Sequence, residues 1–371
     1  MADTGLTVGG AGVVGLAVAA RLAPRNPGLV LLERCDKPGT ETSSRNSEVV
    51  HAGMYYPTGS LKARLCVEGN RRIHELANRQ GVPFRASGKI IVASRPEELP
   101  ALEDLLDRGS ANGVELTMLS AGESRALEPN VQAAGALLSR RTGIVSAHGL
   151  MDYFLGVTRS ADAIVQAHTD LVAVERRTDD YRLAVRTGNE VETFTSERVV
   201  NAAGLEAYTV AALAGIDVDD AGYKLHYCRG CYFSIGASRA GLVSRLVYPV
   251  PGIVSLGTHA VLGLDGRLRF GPDVEYLPDR RLDYRVDPGR RAAFGEAIRR
   301  MMPDVRDEEL EPDIAGIRPK LQGPGDPFRD FVIAEESARG LPGFVDLIGI
   351  DSPGLTAAPA IAERVAELLP T

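Results

Sequence analysis

Lysine is scarce in this chain of 371 residues: Lys37, Lys62, Lys89, Lys224 and Lys320 are the only lysines among 42 basic residues. Arginine supplies the rest of the positive charge, which makes each retained lysine a position of interest. No basic tract occurs and the formal net charge is −7, so nucleic acid is not expected as a partner. Cysteine is also rare, with Cys35, Cys66, Cys228 and Cys231 too few for a disulfide scaffold at this length. Cys228-Arg229-Gly230-Cys231 has no second pair of ligands nearby and sits among strand-like residues. It is read as structural, and no metal is expected. The most apolar stretch, Val8 to Ala20, falls short of the roughly 20 residues of a membrane span. The start Met1-Ala2-Asp3-Thr4-Gly5 lacks the basic lead of a secretory signal. The expected compartment is the cytoplasm, with peripheral membrane contact left open. Neither G-x-S-x-G nor H-E-x-x-H is present, so hydrolase chemistry has no support.

What the chain does contain is a soluble globular composition, 44% hydrophobic and 25% charged, at a length that suits two domains. An apolar strand at Leu6-Thr7-Val8 leads into Gly10-Ala11-Gly12-Val13-Val14-Gly15, a G-x-G-x-x-G turn. A helix follows from Leu16 to Ala23, then a strand from Leu29 to Leu32 that ends in the acid Glu33. Gly10 makes the tight turn, Gly12 admits a pyrophosphate to the backbone, and Gly15 lets helix and strand pack closely. The helix N-terminus favours phosphate, and Glu33 can accept hydrogen bonds from a ribose. These features define a dinucleotide site without separating NAD from FAD. The polar run Thr40-Glu41-Thr42-Ser43-Ser44-Arg45-Asn46-Ser47 suits the phosphates and ribitol of an extended FAD.

Two later segments add to the same reading. Val199-Val200-Asn201-Ala202-Ala203-Gly204 is a buried strand whose small last residues permit close approach of a flat ligand. Phe344 to Gly349 is an apolar strand, Ser352-Pro353-Gly354 turns, and a helix runs from Leu355 to Leu369. The positive end of that helix would stabilise negative charge developing on a reduced flavin. Arg318 and Lys320 lie two apart on an extended segment and so share a face, an arrangement that suits a dicarboxylate. Lys62 and Arg64 are read as lying on a helix face and not as ligands.

From Thr42 to Cys66 the sequence resembles the L-2-hydroxyglutarate dehydrogenases and oxidases, within the D-amino-acid-oxidase/glycerol-3-phosphate-dehydrogenase group of flavoproteins. Further matches run from Gly88-Lys89-Ile90-Ile91-Val92-Ala93 through Tyr248-Pro249-Val250-Pro251 and Phe270-Gly271-Pro272-Asp273 to Gly316-Ile317-Arg318-Pro319-Lys320-Leu321. The last is Gly349-Ile350-Asp351-Ser352-Pro353-Gly354-Leu355-Thr356-Ala357.

The resemblance implies an α/β plus α+β chain: a Rossmann-like FAD-binding domain interleaved with a mixed, largely antiparallel β-sheet substrate domain. The expected FAD domain takes residues 1–83, 143–220 and 330–371, and the substrate domain 84–142 and 221–329. Motifs and resemblance together place FAD contacts at Gly10, Gly12, Val14, Gly15, Glu33, Arg34, Thr42, Ser43, Ser44, Arg45, Asn46, Ser47, Val172, Ala203, Gly204, Ser352, Gly354, Leu355 and Thr356. His51 is the leading base, with Tyr56 and His259 as further catalytic candidates. Tyr55, Tyr232, Arg318 and Lys320 are the substrate-binding candidates. Relatives usually carry Thr where this chain has Val261.

The implied reaction is FAD-dependent oxidation of a small 2-hydroxy acid, L-2-hydroxyglutarate first, with hydride passing to flavin N5 and onward to oxygen or a quinone. An amine or amino-acid oxidase of the same fold is the alternative, followed by a flavin-binding protein without turnover. Leu99 to Asn112 and Pro288 to Met302 are expected as amphipathic helices.

Overall fold

The computed structural model describes residues 2–251 and 257–369, with only the backbone of Ala240. Its chain forms two compact units, each assembled from non-contiguous segments. The first unit takes residues 1–44, 147–227 and 318–371, and the second takes 45–146 and 228–317.

The first unit is built on a six-stranded sheet. In spatial order its strands are Val332–Glu336, Leu341–Ile348, Val199–Asn201, Thr7–Gly9 (β1), Val30–Leu32 (β2) and Ile164–Gln166. All pairs are parallel except the one joining Val332–Glu336 to Leu341–Ile348. Helix α1 (Val13–Leu22) connects β1 to β2, and its length of ten residues is enough for the right-handed crossover that a parallel pair requires. It is buried almost all round, because the Ala147–Ser160 and Gly354–Leu368 helices both pack on it. A separate antiparallel sheet of three strands, Thr169–Arg176, Tyr181–Thr187 and Glu190–Ser196, completes the unit.

The second unit carries a nine-stranded, largely antiparallel sheet. Its centre runs Leu268–Gly271, His259–Leu262, Leu246–Pro249, Lys89–Ala93 and Gly135–Ser139, and only the pairing of Leu246–Pro249 with Lys89–Ala93 is parallel among these. Ile90, Ile91 and Val92 are fully buried, as expected of a central strand covered on both faces. A small sheet of Val49–Val50, Gly143–Val145 and Phe84–Arg85 lies in the same unit.

The interleaved pattern follows expectation in kind, and its boundaries differ. Residues 45–83, expected with the FAD domain, fold in the second unit. Val49, Ala52 and Met54 share a core with Ile90–Ala93, and Val49–Val50 pairs with Gly143–Val145. Residues 143–146 follow that pairing, so they also leave the first unit. In the other direction, residues 221–227 and 318–329 join the first unit, where Tyr223, Leu225 and Leu321 pack with Phe344 and Ile348. The first amphipathic helix forms as Leu99–Ala111. The second is shorter than expected, Arg291–Arg299, because the chain beyond it turns to bury Met301 and Met302 in the core.

Candidate functional site

The glycine turn in the first unit is shaped by backbone contact. Gly10 has φ +102°, and a Cβ there would stand 2.5 Å from the Ala202 carbonyl oxygen. A Cβ on Gly15 would meet the Gly10 carbonyl oxygen at 1.8 Å. Neither position tolerates a side chain, for two separate reasons: conformation and close approach at Gly10, close approach alone at Gly15. The Val13 N–H, at the start of α1, donates to Ser43 Oγ at 2.9 Å. Glu33 accepts from the Ala11 N–H through one oxygen and from the Cys35 N–H through the other, both at 2.9 Å. Each carboxylate oxygen has a second lone pair, so this anchoring still leaves capacity for ribose hydroxyls.

A cavity opens above this turn. Gly10, Gly12, Glu33, Arg34, Thr42, Ser43, Ala203 and Gly204, all expected FAD contacts, line it. Sequence reasoning missed Thr169, Asp170, Leu205 and Glu206, which also line it. Leu171 lines it where Val172 was expected, on a strand whose register shifts between Leu171 and Ala173. Arg34 pairs with Glu41 and, at 2.8 Å, with Glu206, which fixes a charged rim. A narrow cavity floored by glycine, with hydroxyls and an anchored acid on its walls, fits the ADP portion of FAD.

The second strand–turn–helix forms as Leu341–Ile348 followed by Gly354–Leu368, so Ser352, Gly354, Leu355 and Thr356 occupy the turn and the first helical turn. Thr356 is fully buried. Arg318 and Lys320 lie on the strand Leu310–Lys320 with intermediate exposure while Pro319 between them is buried. The structure gives Lys320 a partner of its own: its Nζ lies 3.1 Å from Oδ2 of Asp351. A lysine expected to hold substrate thus pins the turn that precedes the C-terminal helix. Val14, Gly15 and Ser44 fold in this unit as well.

Arg45, Asn46, Ser47, His51, Tyr55, Tyr56, Tyr232 and His259 belong to the second unit. Arg45 sets its guanidinium over the Tyr284 ring, 4.1 Å from the centroid, and Asn46 Oδ1 accepts from the Glu48 N–H at 2.8 Å. His51 follows the strand Val49–Val50 and is buried. Its carbonyl oxygen accepts from Asn70 Nδ2 at 3.0 Å and from Cys66 Sγ at 3.5 Å. Asn112 Nδ2 bridges the Gly53 and Tyr56 carbonyl oxygens at 3.0 and 2.9 Å, so the loop carrying Tyr55 and Tyr56 is held from the helix Leu99–Ala111 side. These two asparagines have no motif to reveal them. Burial, then the charge of Lys89, push His51 down to about 3. The imidazole is therefore uncharged at neutral pH and can take a proton.

His259 starts the strand His259–Leu262 and stacks on Tyr248, with ring centroids 3.5 Å apart and an angle of 11°. Tyr232 is buried on the strand His226–Ile235. Val261 is 2% exposed within the hydrophobic core, so a methyl in place of a hydroxyl is at home there. Cys228 and Cys231 both lie on the His226–Ile235 strand outside any disulfide, and their odd spacing points them to opposite faces. No group of three or more metal-ligating side chains occurs among the described residues, and none of their helices is long and apolar enough to cross a membrane.

The glycine turn beneath a helix, the anchored acid and the second strand–turn–helix define a flavin-dependent oxidoreductase. The chain belongs to the DAO family of FAD-dependent oxidoreductases, whose model matches residues 6–368. It is 39% identical over 396 residues to the mitochondrial L-2-hydroxyglutarate dehydrogenase of Arabidopsis thaliana, covering 96% of this chain and 81% of that protein. The Caenorhabditis elegans mitochondrial L-2-hydroxyglutarate dehydrogenase is 28% identical over 399 residues, covering 97% of this chain and 92% of that protein. Among solved structures, the FAD-bound L-alpha-glycerophosphate oxidase of Mycoplasma pneumoniae superposes with a TM-score of 0.87 at 25% identity, covering 99% of this chain and 94% of that one. Glycine oxidase from Geobacillus kaustophilus shares the fold, with a TM-score of 0.78 at 23% identity and coverage of 99% and 95%. The cofactor of this family is FAD.

Proposed function

We propose that this enzyme oxidises L-2-hydroxyglutarate, or a close 2-hydroxy dicarboxylate, to the 2-oxo acid. The observation that carries the reading is the 39% identity to a plant L-2-hydroxyglutarate dehydrogenase over nearly the whole chain. When bound, FAD supplies the acceptor for the hydride leaving C2 of the substrate.

The protein's own groups supply the rest. His51 takes the hydroxyl proton. Burial holds its imidazole well below the usual range, and a dianionic substrate nearby raises it toward the working range by stabilising the imidazolium. Arg318 binds a substrate carboxylate through its planar fork, a geometry an ammonium does not offer. Tyr55, Tyr56, Tyr232 and His259 are the polar substrate-site candidates carried by the second unit. Lys320 contributes by fixing Asp351, with its charge already countered. The electrons pass on to oxygen or a quinone, and the expected compartment is the cytoplasm.

Anaerobic mixing of the yellow enzyme with L-2-hydroxyglutarate tests the reading. The flavin is expected to bleach with this substrate, and His51→Ala to slow bleaching on the order of 100-fold. Bleaching by an amino acid and by no hydroxy acid would reassign the enzyme as an amine oxidase. Near-normal reduction in His51→Ala would remove His51 as the base.

A further inference from the structure

Lys89, one of the five lysines, is fully buried at the start of the central strand Lys89–Ala93. Its Nζ has no hydrogen-bond acceptor among the described residues. It lies instead 4.4 Å from the centroid of the Tyr55 ring and 4.4 Å from that of Tyr248. These rings are 6.5 Å apart and within 16° of parallel, and the other neighbour of Tyr248 is the stacked His259 ring. An ammonium denied both water and a carboxylate is a costly thing to keep in a core. Aromatic faces are the remaining way to hold it. A methionine or leucine would fill the same space without that cost, so retaining a lysine calls for a role.

The groups acting on this cluster come from several elements. Cys66 faces Lys89 from the helix Leu61–Gln80, and His51 feels the Lys89 charge from the end of Val49–Val50. Tyr55 and Tyr56 come from the following loop, Tyr232 and Tyr248 from two strands of the large sheet, and His259 from a third. None of these is a carboxylate. Burial brings Lys89 down to about 7, with Cys66 opposing the change.

We propose that Lys89 is a positioning residue of the catalytic cluster: its ammonium grips the faces of Tyr55 and Tyr248, Tyr248 thereby fixes the His259 ring, and the buried cation acts on His51. The inference rests on the reading of His51 and His259 as catalytic groups. It adds a device that no motif records, a cation under the site that never touches substrate.

Lys89→Met, which keeps length and removes charge, tests it in the FAD-loaded protein. Histidine-ring NMR is expected to show the onset of His51 protonation moved up by about one pH unit. The acid limb of anaerobic flavin reduction should move in the same direction. A yellow, folded Lys89→Met protein whose His51 titrates as in the wild type would overturn the proposal. Should that variant fail to fold, Lys89→Gln decides: a His51 titration moved up together with a displaced His259 ring resonance supports the clamp, and both unchanged reject it. If L-2-hydroxyglutarate does not reduce the wild-type flavin, the proposed function falls, yet the ring titrations still report on Lys89.

Discussion

Each unit buries ionisable groups, and Asp346 in the first and Lys89 in the second are held in opposite ways. In the first unit, Asp346 is fully buried and accepts from Asn201 Nδ2 at 2.6 Å. Its neighbour Glu336, 1% exposed, accepts from the Tyr223 hydroxyl at 2.6 Å and pairs with Arg339 at 2.6 Å. That cluster is held by directional hydrogen bonds, of which the Asn201–Asp346 bond joins two adjacent parallel strands. In the second unit, Lys89 has only ring faces among the described residues. Directional bonds fix atoms to a position, whereas a ring face fixes a cation above a plane and leaves its donors uncommitted. The first arrangement suits a rigid cofactor platform, and the second suits a charge meant to act on its neighbours.

The sharpest way to separate the two units is through their products. Gly10→Ala adds a Cβ where the Ala202 carbonyl oxygen is 2.5 Å away, at a φ that alanine avoids. Its expected outcome is a colourless protein, with flavin affinity reduced more than 100-fold, or about 3 kcal/mol. Lys89→Met, by contrast, should remain yellow. Absorbance at the flavin band after gel filtration checks both. A colourless Lys89→Met protein would break the division between platform and reactive cluster.

Removing a hydrogen-bond donor is the next largest test. Asn201→Ala strips Asp346 of the Asn201 hydrogen bond in a fully buried setting. The expected loss is about 2–3 kcal/mol of unfolding free energy, read from the midpoint of a urea titration. Lys89→Met should lose no stability at neutral pH, because an apolar side chain replaces a poorly served charge. A larger loss in Lys89→Met than in Asn201→Ala would reverse the comparison.

Much of the first unit was legible in the sequence for a physical reason. The glycine turn, the helix α1 and the acid at Glu33 are contiguous, and local chemistry dictates them. Thr169, Asp170 and Glu206 were not legible, because their place at the cavity depends on which strands pair. The register shift at Val172 was equally hidden, since a bulge is set by its partner strand. In the second unit the resemblance singles out His51 and His259 as candidates, while Lys89 and Tyr248 lie in matching segments without standing out. A lysine opening the run Lys89-Ile90-Ile91-Val92-Ala93 was the available signal. Periodicity marks that run as a strand, and only packing reveals that Lys89 is inside. The boundary near Arg45 failed for a related reason: the polar run reads as continuous while the chain passes from one core to the other.

The smallest expected effect is also the most diagnostic, because the two clusters should bend stability with pH in opposite directions. Burial, opposed by Asn201 and reinforced by Glu336, holds the Asp346 carboxyl well above the usual carboxylate range. The folded protein therefore keeps a proton that the unfolded chain has released. This contribution to stability is fully present below about pH 4 and is lost as pH rises through the folded value. Lys89 is lowered to about 7, so there the unfolded chain holds the extra proton. Its contribution is present above about pH 10.5, the ordinary lysine range, and is lost as pH falls toward 7. Each slope is at most about 1.4 kcal/mol per pH unit, and the two ring faces around Lys89 reduce its share. Urea titrations at several pH values should show Asp346→Asn gaining on the wild type between pH 5 and 8. Lys89→Met should lose ground to it between pH 7 and 10. Parallel pH profiles for both variants and the wild type would mean that neither buried group titrates differently on folding, and the contrast between ring faces and directional bonds would have no energetic content.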